Sequence, residues 1–299
     1  MNQRLLGNSG LPVSEITLGT VELGVNYGFR GSEHYAKPAR DEGVSVIRHA
    51  VERGINLLDT APAYGESESV IGDAGAPCYV ATKVTLPATA EQVVASVDRS
   101  LRLLRRERVE VLQLHNPTLE TIGDAGLLEG LQRVLDAGKV GMVGASAYGE
   151  EIALAALENP MFRTLQVPFN ILDQGMTERV FPLAQRNGVG VLVRSVFLRG
   201  VLTARIHGIP ERLGKLRERG LAALGGEPVE RLPALAIRFC LSFPAISSLI
   251  LGIRTVEELD ENLKAAAEGP LDVGTLERLK ALSMSEDPMV SPMNWQDLI

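Results

Sequence analysis

The sequence predicts an α/β fold, a parallel (β/α)8 or TIM barrel with an extra C-terminal helix and a long loop after its seventh strand. Short apolar runs alternate with helical patterns eight times along the 299 residues. Strands joined by helices must run parallel, because each crossover returns the chain to the same end of the sheet. The competing doubly wound sheet usually has a glycine-rich turn after its first strand, and residues 19–24 do not fit that fingerprint.

The predicted strands are short and apolar, as expected of strands covered on both faces. They occupy residues 16–20, 55–59, 79–83, 109–114, 140–144, 164–167, 190–193 and 248–251. The predicted helices occupy residues 42–52, 67–71, 90–104, 127–136, 150–157, 180–186, 235–241, 256–266 and 273–282. In the helix over 90–104, Val93, Val97, Leu101 and Leu104 share one apolar side.

The domain prediction is a single barrel over residues 1–299, since a barrel of about 250 residues or more uses such a length. One connection is unusually long, and residues 194–230 are interpreted as a loop that binds cofactor and substrate. Residues 268–299 form a last helix and an irregular tail that contains the only tryptophan, Trp295.

Composition excludes several classes of protein. Hydrophobic residues make up 45% of the chain and charged residues 22%, so the chain is long and apolar enough for a large core. The net charge of −7 argues against a nucleic-acid partner, and no apolar stretch is long enough to predict a membrane span. Cys78 and Cys240 form neither a disulfide framework nor a zinc site. We expect a cytoplasmic protein with a small-molecule partner, no metal and an oligomeric state that the sequence leaves open.

Polar residues follow the strands where a barrel places its active site, at their C-terminal ends. Asp59 ends the second strand and Tyr64 follows it, while Lys83 and His115 end the third and fourth strands. Each has an ordinary structural explanation when taken alone. Together they form an acid–base set, because an ammonium beside a phenol stabilises phenolate and a carboxylate holds the ammonium in place. A histidine opposite them can hydrogen-bond a substrate oxygen.

The order and placement of Asp59, Tyr64, Lys83 and His115 resemble the catalytic tetrad of the aldo-keto reductase superfamily. The most specific match is residues 58–68, LDTAPAYGESE. Further matches are QLHNP at 113–117, GAS at 144–146 and QVPFN at 166–170. Near the C-terminus, GIR at 252–254 and LDEN at 259–262 resemble the family's site for the adenosine phosphate. The resemblance covers nearly the whole chain.

The resemblance implies reduction of an aldehyde or ketone by NAD(P)H. Tyr64 would protonate the carbonyl oxygen, Lys83 would lower the pKa of Tyr64, Asp59 would pair with Lys83, and His115 would polarise the carbonyl. Ser146 and Gln166 would hold the carboxamide of the nicotinamide. The remaining cofactor-binding candidates are Gly19, Thr20, Arg194, Ser195, Leu198, Gly200, Gly252, Arg254, Glu258, Glu261 and Asn262.

The sequence departs from better-known members of the family at three positions. Ala147 stands where many carry an asparagine of the carboxamide site. Arg194 stands where a Tyr or Trp often stacks on the nicotinamide, and it either lies on that ring, reaches a phosphate or forms an ion pair. Arg254 argues for NADP(H), whereas Glu258 would repel a 2′-phosphate and argues for NAD(H). We expect NADP(H), with NAD(H) as the alternative.

Loop residues determine the substrate in this kind of barrel. The candidates are Val21, Glu22, Tyr27, Asn116, Phe197 and Trp295. Glu22 either binds a polyhydroxylated substrate such as a sugar or is an ordinary loop charge. Arg30, His34 and Lys37 either meet an anionic substrate or belong to the surface.

Three other functions stay open. A sugar dehydrogenase could use the same tetrad in the oxidative direction. A regulatory protein could keep the cofactor as a sensor. An aldolase could form a Schiff base on Lys83, although Asp59 argues against this by keeping the lysine protonated.

Overall fold

Eight parallel strands close into a barrel in the computed structural model, which describes residues 1–32, 35–86 and 88–299. A preceding antiparallel hairpin pairs Gln3–Leu5 (β1) with Pro12–Ser14 (β2). The barrel strands are Ile16–Gly19 (β3), Leu57–Asp59 (β4), Tyr79–Thr85 (β5), Val109–His115 (β6), Val140–Ser146 (β7), Phe162–Pro168 (β8), Gly190–Arg194 (β9) and Ile246–Gly252 (β10). They neighbour one another in chain order, and β10 pairs with β3 to close the ring. The predicted fold class is confirmed.

Helices surround the barrel. They are Val21–Gly24 (α1), Arg40–Glu52 (α2), Ser67–Ala74 (α3), Ala90–Leu104 (α4), Leu119–Ile122 (α5), Ala125–Asp136 (α6), Glu150–Glu158 (α7), Val180–Asn187 (α8), Gly214–Ala222 (α9), Leu232–Leu241 (α10), Val256–Ala267 (α11) and Val273–Lys280 (α12). Short 3-10 helices occupy Leu198–Gly200, Ala204–Gly208, Glu211–Leu213, Val229–Arg231, Pro288–Val290 and Pro292–Asn294. The predicted loop over 194–230 therefore contains a regular helix, α9.

The pair α4 and α6 shows how local sequence sets the outer layer. Thr89 accepts a hydrogen bond from the backbone of Gln92 and begins α4, while Asp124 does the same for Leu127 at the start of α6. At Gly130 the two helices come so close that a Cβ atom would lie 2.8 Å from the Cα of Ala90. Glycine therefore permits this close helix packing.

The N-terminal end of the barrel is plugged by the hairpin that the sequence patterns did not predict. A small interior core joins Leu6 and Val13 of this region to inward-facing residues of the strands, namely Leu57, Ala81, Val111, Leu192 and Ile250. Arg4 of β1 hydrogen-bonds the carbonyl oxygens of Leu241 and Ile246. The plug leaves the opposite, C-terminal end of the barrel as the open one.

Candidate active site

A buried ion pair lies at the C-terminal end of the barrel. Lys83 on β5 donates to both carboxylate oxygens of Asp59 on β4, at 2.9 and 2.8 Å, and to the carbonyl of Thr60 at 2.8 Å. The Lys83 side chain is 0% exposed and that of Asp59 is 5% exposed. The amide of Gln166 on β8 donates to Asp59 at 2.7 Å, and the hydroxyl of Ser146 donates to Gln166 at 3.1 Å. A continuous hydrogen-bonded floor thus spans the barrel.

Tyr64 and His115 stand above this floor. The ammonium of Lys83 lies 4.8 Å from the centre of the Tyr64 ring. The ring of His115 meets that of Tyr64 edge to face, with centroids 5.8 Å apart and planes at 87°. The turn that carries Tyr64 packs directly on α1, since a Cβ at Gly24 would lie 1.8 Å from the carbonyl oxygen of Tyr64. Glycine at position 24 therefore permits the placement of the phenol.

Burial sets the protonation states of these groups. It raises the pKa of Tyr64 above 10.0, and it outweighs the opposite effect of the Lys83 charge. Lys83 acts in the expected direction and lowers the pKa of Tyr64, but its effect is smaller than that of burial. Burial, then the charges of Lys83 and Arg194, lower the pKa of His115 to about 4. Burial also opposes the charge on Lys83, but Asp59 and Tyr64 outweigh it and raise the pKa of Lys83. At neutral pH the set is a phenol, a neutral imidazole and an ammonium–carboxylate pair.

A cavity of about 1090 Å³ opens above the floor and runs to the rim between β10 and α11. Most of the residues proposed from sequence meet there. Those that line it are Gly19, Val21, Glu22, Tyr27, Asp59, Tyr64, His115, Asn116, Ser146, Gln166, Arg194, Ser195, Phe197, Leu198, Gly200, Gly252, Arg254, Glu258, Glu261 and Asn262. Lys83 lies beneath the cavity.

Two of the residues proposed from sequence, Trp295 and Thr20, are buried away from the cavity. Trp295 is 0% exposed and does not line the cavity; it stacks on Phe29 at 5.7 Å, and its indole N–H donates to the carbonyl of Met289. Apolar burial and this hydrogen bond explain its place in the core. Thr20 does not line the cavity either; it is 0% exposed, and its hydroxyl donates to the carbonyl of Asp59.

Ion pairs occupy the rim where the adenosine phosphate was expected. Arg254 pairs with Glu22 at 3.3 Å, and its guanidinium also donates to the carbonyl of Tyr27. Glu258 pairs with Arg205 and accepts the backbone N–H of Arg254. Burial raises the pKa of Glu22, against the lowering effect of Arg254. Glu22 is therefore a largely buried, paired carboxylate in the cavity wall and not a solvated loop charge.

Arg194 forms none of the ion pairs made by the described residues. Its guanidinium lies 3.7 Å from the centre of the Tyr148 ring and donates to the carbonyl of Ala147 at 3.1 Å. Arg199 lies in the same way on Tyr27, 4.0 Å from the ring centre. Sequence reasoning missed Tyr148, Arg199 and Arg205 as lining residues. The position of Tyr148, two residues beyond the end of β7, was an available signal.

The cysteines and the described residues of the basic first loop add no further site. His34 lies outside the described residues, Lys37 pairs with Glu66 at 2.5 Å, and Arg30 is exposed. Cys78 and Cys240 are both free. Within the described part of the chain, no cluster of His, Cys, Asp and Glu could hold a metal ion, and no helix is long and apolar enough to cross a membrane.

Comparison with known proteins identifies the family. The model of the "Aldo/keto reductase family" matches residues 15–283. The chain belongs to the aldo/keto reductase family. It is 27% identical to L-galactose dehydrogenase of Arabidopsis thaliana, over 93% of each chain. It is 28% identical to the aldo-keto reductase YhdN of Bacillus subtilis, over 69% of this chain and 65% of that protein.

Solved structures agree with the fold. The holo form of an aldo-keto reductase from Bacillus halodurans superimposes with a TM-score of 0.82 at 24% identity, covering 95% of this chain and 97% of that one. The family match and the oxidoreductases among its relatives identify the chain as an oxidoreductase.

Proposed function

We propose that the chain reduces an aldehyde or ketone to the alcohol with a reduced nicotinamide cofactor, and that Tyr64 is the general acid. One observation carries the proposal: Tyr64 and His115 lie above the buried Lys83–Asp59 pair and line a large cavity at the C-terminal end of the barrel. Both side chains can therefore reach one carbonyl oxygen in that cavity.

The protonation states support this role. Because burial keeps the pKa of Tyr64 above 10.0, the phenol is protonated at neutral pH and can donate its proton. Lys83 stabilises the phenolate that remains, and Asp59 keeps the ammonium charged and in place. His115, with a pKa of about 4, is a neutral imidazole and can donate a ring N–H to the same oxygen.

The cavity fits a dinucleotide cofactor. Ser146 and Gln166 present a hydroxyl and an amide at its floor, which suits a carboxamide. Ser195, Leu198 and Arg199 have positive φ values of 61°, 45° and 52° in its wall, and such turns present backbone N–H groups to phosphates. Asn262 and Glu261 line its far end, and their amide and carboxylate groups suit hydrogen bonds to adenine. When bound, the cofactor supplies the hydride.

We propose that the chain binds both NADPH and NADH. The guanidinium groups of Arg205 and Arg254 suit a 2′-phosphate, yet each already pairs with a glutamate. Glu258 can instead accept hydrogen bonds from a free ribose diol. We expect dissociation constants for NADPH and NADH that differ by less than about ten-fold, and Glu258→Gln should shift the ratio toward NADPH. Fluorescence titration of both cofactors measures this; an unchanged ratio would contradict the role of Glu258.

The substrate is proposed to be a polyhydroxylated aldehyde or ketone. Asn116, Tyr27 and Tyr148 line the cavity with polar groups, and a relative is an L-galactose dehydrogenase. Aldoses should be turned over with a higher kcat/KM than alkyl aldehydes of equal chain length. The Schiff-base alternative finds no support, because Lys83 is fully buried and its pKa is raised.

Replacing Tyr64 by Phe tests the general acid. Steady-state reduction of an aldehyde panel should fall by about 100-fold or more, while cofactor titration stays close to that of the unaltered protein. Tyr79→Phe is the matched control, since Tyr79 begins β5 at the other end of the barrel and packs against the interior core there. Equal turnover by the Tyr64 and Tyr79 variants would refute the assignment.

A further inference from the structure

Arg194 brings to the cavity wall a positive charge that forms no ion pair with the described residues. It is the last residue of β9, half-buried, and its guanidinium is held between the ring of Tyr148 and the carbonyl of Ala147. None of the described carboxylates forms an ion pair with it. By contrast, Arg205 and Arg254 at the rim each pair with a glutamate. Arg194 is thus fixed in position by an aromatic ring and a backbone carbonyl, and not by a carboxylate in direct contact.

The charge of Arg194 acts on the groups at the end of the cavity that contains Tyr64 and His115. Arg194 pairs in register with Pro168, two residues beyond Gln166, so it flanks the Ser146–Gln166 floor. It acts with burial and Lys83 to disfavour the protonated form of His115. Burial raises the pKa of Asp173, in the segment after β8, to about 6, while a backbone hydrogen bond and the Arg194 charge oppose this rise. A group placed beside Tyr64 and against the Ser146–Gln166 pair would therefore lie in the field of Arg194.

We propose that Arg194 makes this cavity bind the reduced, uncharged nicotinamide ring in preference to the oxidised, positively charged ring. The inference rests on the proposed function. Loss of hydride leaves a positive charge on the nicotinamide ring, and a guanidinium beside it repels that charge; the neutral reduced ring is not repelled. The pair of Arg194 and Tyr148 would thereby weaken binding of the oxidised cofactor, promote its release after carbonyl reduction, and raise the reduction potential of the bound couple.

Affinity measurements test this without turnover. The dissociation constants of NADPH and NADP⁺ are measured by calorimetry for the unaltered chain and for Arg194→Gln. We expect the ratio of the NADP⁺ constant to the NADPH constant to fall by about ten-fold in the variant, mainly through tighter NADP⁺ binding. That change corresponds to about 30 mV in the potential of the bound two-electron couple. Arg194→Lys keeps a positive charge. Its ratio of the NADP⁺ constant to the NADPH constant should therefore fall by less than about three-fold.

Arg205→Gln is the matched control. It removes a positive charge from the same cavity but at the rim, so it should change both affinities together and leave their ratio unaltered. An unchanged ratio in Arg194→Gln, or an equal shift in Arg205→Gln, would overturn the inference. Failure of the unaltered chain to bind either cofactor form would instead refute the proposed function. Thermal melting of each variant shows whether it is folded.

Discussion

Replacing Lys83 by Met would expose the energetic cost of the buried ion pair. Methionine keeps an unbranched side chain but removes the ammonium, so among the described residues the amide of Gln166 would be the one side-chain donor left to the carboxylate of Asp59. The Asp59 side chain is 5% exposed, so water compensates little of the lost interaction. Removing one partner of a buried pair costs about 3–5 kcal/mol of folding free energy.

Urea denaturation followed by far-UV circular dichroism, without cofactor, measures this cost. Lys139→Met is the matched control, because Lys139 pairs with Asp98 at the surface, where the side chains are 33% and 45% exposed. That pair should be worth about 1 kcal/mol or less. The double variant Asp59→Asn, Lys83→Met removes both charges and should recover part of the loss. The reasoning is refuted if Lys83→Met costs no more than Lys139→Met, or if the double variant is less stable than the single one.

Three further perturbations follow from the same geometry. His115 binds a proton more weakly in the fold, with a pKa of about 4 against 6.5, so stability should fall as the pH drops from 6.5 through 4; urea denaturation of His115→Asn should lack that part of the pH dependence. Gly24→Ala places a methyl group against the carbonyl of Tyr64 and should cost about 1–3 kcal/mol or more by urea denaturation, with a matching loss of turnover; full activity would contradict the packing argument. Trp295→Ala should lose about 3–5 kcal/mol by the same measurement, whereas Trp295→Phe, which keeps a ring against Phe29, should lose much less; equal losses would contradict the stacking.

The sequence predicted the barrel because its strands and helices carry their signals locally. Apolar runs and helical periodicity mark which face of each element is buried, and the order of those elements restricts the topology to a parallel sheet. The positions of Asp59 and His115 at strand ends followed from the same reasoning, whereas Lys83 lies two residues before the end of β5. The β1–β2 hairpin was not predicted, because its two three-residue strands, with the sequences QRL and PVS, do not form continuous apolar runs.

Tertiary structure alone decided the electrostatics of the site. Glu22 and Arg254 are far apart in sequence, and only barrel closure between β10 and β3 brings them into an ion pair. Whether the pKa of Tyr64 is raised or lowered depends on how completely the surrounding chain excludes water, and no sequence motif encodes this. Trp295 likewise has its environment set by the residues that fold over it. Local patterns thus determined the elements and their order, whereas long-range packing determined which charges meet and how strongly water screens them.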